Sequence, residues 1–173
     1  MEPTTDPGVS AVHRPRSDAI TATRQELALL ICAFSIIAGA IHVEAAIGHF
    51  EETWLYGGFF ASLAVFQLVW GVRMYSRPAP DWLRLGSAVS LAVVGIWLVS
   101  RTVGIPFGPE ALQPEAVGPL DAAATVDELA IAGICFLLLE QGLPAMTSVR
   151  RLASYVFLTT TTLALFLGNH SAH

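Results

Sequence analysis

The chain has 173 residues, of which 54% are hydrophobic and 13% charged; it carries a net charge of -5 at pH 7 and contains no lysine. At a mean hydropathy of +0.60, this apolar content cannot be hidden in one soluble core of this size, which excludes an ordinary water-soluble domain. No basic block is present, so nucleic acid is excluded as an expected partner.

Residues 1–25 carry Pro3, Pro7 and Pro15 and almost no apolar periodicity, and they read as a disordered cytoplasmic tail. Five apolar runs follow, over residues 27–48, 54–72, 83–103, 125–143 and 152–168, each bounded by charge or proline. Most approach the roughly 20 residues needed to cross a hydrocarbon layer about 30 Å thick, and the last is the shortest. Lipid offers backbone groups no hydrogen-bond partners, so runs of this kind must be helices. The expected fold class is all-α: a polytopic transmembrane helix bundle of five spans within residues 26–168, followed by an external tail over 169–173.

Charge sets the expected orientation. Arg14, Arg16 and Arg24 precede the first run, Arg73, Arg77 and Arg84 surround the second loop, and Arg150 with Arg151 opens the fifth run. The opposite side receives Arg101 together with Glu51, Glu52, Glu110, Glu115 and Asp121. The positive-inside bias therefore predicts a cytoplasmic N-terminus and an external C-terminus in a bacterial cytoplasmic membrane, with Trp54 and Trp82 as interfacial anchors. A cleavable signal peptide is the competing reading of the first run, because Ala38-Gly39-Ala40 follows the apolar stretch Leu27–Ile37. The apolar run continues past that triplet, which favours a retained span.

Cys32 and Cys135 fall in the first and fourth runs without a second cysteine at metal or redox spacing, so no disulfide is expected. The chain has no phosphate-binding glycine loop, nucleophile elbow or paired-histidine zinc motif, and no catalytic residue is assigned.

The first run nevertheless holds ionisable groups that are costly in lipid: His42, Glu44 and His49, with Glu51 and Glu52 at its exit. His42 and His49 are two turns apart on one stripe, about 10 Å, too far to share a metal ion from a straight helix. Ser35, Ala38, Gly39, Ala45 and Ala46 lie along the same stripe and allow a close neighbour, so His42 is expected to point into the bundle and Glu44 away from it. The alternative for His42 is a neutral imidazole that simply joins two helices. Glu52 beside His49 would contribute oxygen to a metal site, or both Glu51 and Glu52 form a solvated loop edge.

Arg101 is the expected charge partner for Glu44, Asp127 or Glu128, since a buried carboxylate needs one. Thr125-Val126-Asp127-Glu128 also reads as a capping box with Thr125 as N-cap. Gln67, Trp70 and Trp97 contribute either to a cavity or to packing. His170 and His173, spaced by three, are expected on the same side as His42 and His49; four imidazoles there would suit copper, zinc, iron or haem, while a flexible tail is the plainer alternative. In the loop from Arg101 to Pro119, apolar Ile105, Pro106 and Phe107 suggest a lid over the outer mouth of the bundle or a surface for a partner, against a plain connector.

The segments Ile41-His42 through His49-Phe50-Glu51-Glu52 and Arg101-Thr102-Val103-Gly104-Ile105-Pro106-Phe107-Gly108-Pro109 together resemble small multi-pass membrane proteins of actinobacteria. The resemblance implies a bacterial cytoplasmic membrane and joint action of the two segments, and it supplies no reaction, cofactor or substrate. Three readings of function follow. The leading one is a membrane protein holding a metal, haem or small polar ligand at an external His/Glu/Arg cluster. The second is an accessory or assembly subunit, in contact with a larger membrane complex or with copies of itself. The third is a small transporter or an enzyme for a lipid-soluble substrate.

Overall fold

A computed structural model describes residues 14–140 and Leu158, and within them the chain folds as four α-helices without strands. They are α1 (Arg14–Glu52), α2 (Trp54–Ser76), α3 (Pro80–Thr102) and α4 (Pro119–Glu140). The chain is therefore all-α, and each helix includes a segment long and apolar enough to cross a membrane, with mean hydropathy from 1.6 to 2.1 over its most apolar window. The fifth apolar run, its preceding arginines, and His170 and His173 lie outside the described residues.

The helices overrun the apolar stretches. α1 begins at Arg14, ahead of the first apolar run. It turns into α2 through Thr53 alone, which is extended and whose Oγ1 accepts a hydrogen bond from the Leu55 N–H at 3.4 Å. α3 opens at Pro80, whose missing N–H would have had no partner in a first turn. The α2–α3 turn is closed by Arg73, which donates to the Arg77 carbonyl at 2.6 Å and sits 5.5 Å over the Trp82 ring.

α4 begins at Pro119, six residues before the expected cap, which corrects the capping-box reading. Thr125 is inside the helix, and its hydroxyl donates to the Asp121 carbonyl at 2.8 Å. The first-turn acid is Asp121, whose Oδ2 accepts from the Gly118 N–H at 3.0 Å beside the positive end of the helix dipole. This earlier start carries Asp127 and Glu128 eight and nine positions inward from Pro119, about 12 to 14 Å.

Small residues let the first two helices approach closely. A Cβ on Gly71 would fall 2.9 Å from Ser35 Cβ, and one on Gly39 would fall 3.2 Å from Leu68 Cγ. α1 packs on α2 and α4, α3 packs on α4, and α2 meets α3 only weakly. A dense apolar core fills the arginine-bearing half, where Phe34, Trp70, Met74 and Ile131 are buried. Trp70 lies over Gly86, where any side chain would collide with the indole, and its Nε1 donates to the Trp82 carbonyl at 2.9 Å. In the opposite half the weak α2–α3 contact leaves a cavity.

Candidate functional site

The cavity measures about 690 Å³, inside the range of small-molecule sites. Its walls come from α1, α2, α3, the first turns of α4 and the loop between α3 and α4, and they are largely apolar: Ile41, Leu55, Phe59, Val93, Ile96 and Val99 among others. Ile105, Pro106 and Phe107 of that loop line it as well, so these residues fold back onto the bundle. Two devices hold the loop there. The Tyr56 hydroxyl donates to the Phe107 carbonyl, and the Glu115 N–H donates to the Ser100 carbonyl at 3.0 Å. Gly104 and Gly108 turn the loop at φ +80° and +99°, where a Cβ is disfavoured.

Arg101 anchors the outer end. Its side chain is only 11% exposed, Nη1 donates to Glu115 and to Ser100 Oγ at 3.0 Å, and Nη2 donates to Asp121 at 2.6 Å. These are not the acids expected from the sequence. Glu44 is exposed on α1, and Asp127 and Glu128 lie too deep along α4 once that helix starts at Pro119. Arg101 thus ties the loop to the start of α4 and does not compensate an acid buried in the bundle. Two donors that belong to cavity-lining residues are left over: Trp97 Nε1 and Arg101 Nε are buried and have no hydrogen-bond partner. Such atoms are uncommon in folded proteins and call for a specific explanation.

At the inner wall stands His42, 3% exposed on α1. Its Nδ1 lies 2.8 Å from Gln67 Oε1 of α2, and the Gln67 Nε2 in turn donates to the Glu128 carboxyl of α4. Ser90 of α3 also faces that carboxyl. Ser35, on the small-residue stripe below His42, donates to the Gln67 main-chain carbonyl at 2.7 Å. A chain of buried polar groups therefore crosses the bundle at mid-depth and touches all four helices. It lies inward of the Arg101 pairs, so the single His/Glu/Arg cluster read from the sequence divides into two sites on one cavity.

His49, two turns outward, also lines the cavity, and its Nδ1 lies 3.0 Å from Glu52 Oε2. Between the two histidines stands Phe60, with its ring centroid 5.8 Å from that of His42 and 4.8 Å from that of His49, nearly parallel to both. This interleaved ring keeps the imidazoles apart. No group of three or more His, Cys, Asp or Glu suited to a metal ion occurs among the described residues. Cys32 and Cys135 are free and buried in the core half.

Sequence reasoning named His42, His49 and the lid residues, and all of them line the cavity. It left Gln67 between a cavity role and packing, and did not name Tyr56 or Phe60. A lone amide in the otherwise apolar α2 was the available signal for Gln67, since such a group needs a partner on another helix. Phe60 carried no signal, because an aromatic in an apolar run is ordinary. No family model matches the chain, and no curated protein or solved structure matches it either.

Proposed function

We propose that this chain is an integral membrane protein that binds a small, largely apolar molecule bearing polar substituents in the cavity beneath the 103–118 loop. The observation that carries the reading is the combination of that cavity's apolar walls with the few polar side chains that line it, His42, His49 and Arg101 among them. Apolar walls with a small number of polar groups are the usual make-up of a small-molecule site. The charge distribution supports a cytoplasmic placement of the Arg73, Arg77 and Arg84 end, with the cavity in the outer half of the membrane and open to ligands that partition into lipid. Residue types favour such a molecule over a metal or haem: Phe60 stands between the two imidazoles at the cavity, and among the described residues neither belongs to a group of three or more His, Cys, Asp or Glu side chains that could hold an ion.

Gly95 provides the test. It lines the cavity, and a Cβ there would meet nothing within 4 Å. Gly95→Phe should fill the site while leaving the fold intact. Solvent extracts of the detergent-purified parent are expected to yield an apolar species near one per chain, absent from Gly95→Phe. Identical extracts from the two proteins, both showing only bulk lipid, would overturn the proposal. A Soret band or a stoichiometric metal in the parent would replace it with the haem or metal reading.

A further inference from the structure

The buried chain beside the cavity has a direction, and that direction specifies ligand chemistry. Gln67 donates through Nε2 to Glu128, which commits its Oε1 to His42. An amide oxygen can only accept, so the His42 atom facing it, Nδ1, must carry hydrogen. A neutral imidazole has one N–H, so with that hydrogen on Nδ1 toward Gln67 Oε1 the lone pair remains on Nε2. His42 lines the cavity, and its Nδ1 is taken up by the protein.

We infer that His42 Nε2 is a hydrogen-bond acceptor for a hydroxyl group on the cavity's ligand, so that the site selects lipid-soluble alcohols or phenols over molecules of the same shape without an O–H. Gln67 and Glu128 are positioning residues: they hold the imidazole in the tautomer that accepts, and neither lines the cavity itself. Phe60, stacked on the ring at 5.8 Å, fixes its plane. A site built around an acceptor discriminates against a ligand without a donor, because such a ligand leaves Nε2 unpaired. The aromatic wall formed by Phe59, Phe60 and Tyr56 favours a phenol within that class.

This inference rests on the proposed ligand-binding cavity, and a matched pair of probes separates the two. 4-Heptylphenol and its methyl ether have nearly the same apolar body, and only the phenol can donate. Both would be titrated into the full chain in nanodiscs, with Gly95→Phe as the blocked control. The phenol is expected to bind about fivefold more tightly than the ether, the worth of one net hydrogen bond. Histidine ¹⁵N spectra should show His42 protonated at Nδ1 and bare at Nε2, with the Nε2 resonance moved by the phenol and unmoved by the ether. Gln67→Leu should erode the preference and mix the tautomers, a response that loss of packing alone would not produce.

Equal affinities for the two probes, both blocked by Gly95→Phe, would overturn the hydroxyl inference and leave the cavity reading standing. Binding of neither probe, or binding indifferent to Gly95→Phe, would overturn the cavity reading itself. A parent spectrum with His42 protonated at Nε2 would refute the inference without reference to any variant.

Discussion

Replacing Gln67 with leucine removes the middle of a buried polar chain and leaves both ends in place. Two hydrogen bonds vanish, the 2.8 Å contact to His42 Nδ1 and the donation to Glu128. Their former partners are 3% and 0% exposed, so water cannot take over. At ~0.6 kcal/mol for an average interhelical bond in a membrane protein, the loss would be about 1 kcal/mol. At 1–3 kcal/mol for each orphaned buried group it would be about 2 to 6 kcal/mol. Deep burial of both partners places the expectation at about 3 kcal/mol, measured by equilibrium unfolding in mixed micelles with rising SDS and followed by helical circular dichroism. The companion variant is the triple His42→Phe, Gln67→Leu, Glu128→Leu, which removes the whole chain and leaves apolar surfaces in contact. It should be more stable than Gln67→Leu alone, because the penalty lies in the orphaned groups and not in the missing bonds. A Gln67→Leu protein within 0.5 kcal/mol of the parent, or a triple variant less stable than the single, would refute this account of the mid-bundle chain.

Three further outcomes follow from other parts of the fold. Arg101→Leu leaves Glu115 and Asp121 without their cation; as these acids are 39% and 41% exposed, the cost should be about 1 to 2 kcal/mol. The clearer readout is hydrogen exchange, which should quicken across 103–118, and unchanged protection there would show that the ion pairs do not hold the loop. Gly108→Ala forces a side chain at φ +99° into the place of the Tyr56 hydroxyl, so a loss of about 1 to 3 kcal/mol and protease cleavage within the loop are expected; resistance equal to the parent's would count against it. Gly86→Ala puts a methyl group against the Trp70 indole and should cost about 1 to 3 kcal/mol by overpacking, whereas Gly95→Ala, which meets open space, should be neutral or stabilising by up to about 1 kcal/mol; reversal of that order in thermal unfolding would show that the two glycines are misassigned.

Helical class and membrane character were already legible in the chain, because a run of some 20 apolar residues has few other ways to satisfy its backbone in lipid. The inward-facing histidine was legible too: His42 shares a stripe with Ser35, Ala38 and Ala46, and that face is buried while Glu44 and Glu51 are exposed. Helix ends were less visible, since hydropathy registers side chains and a helix stops where its backbone is capped. The missed start of α4 at Pro119 had a large consequence, because it put Glu128 about 9 Å further from the start of its helix. Arg101 was thereby matched with the wrong acids, although Glu115 and Asp121 stood in the same loop and first turn. Pairing between helices is a property of rotation and depth that no single span encodes. Only the tertiary arrangement brings Gln67 between His42 and Glu128, sets Phe60 between two imidazoles, and parts α2 from α3 to leave a cavity. The physical reason is that one helix's periodicity decides which face is buried, while the identity of the neighbour depends on how all four faces fit together at once.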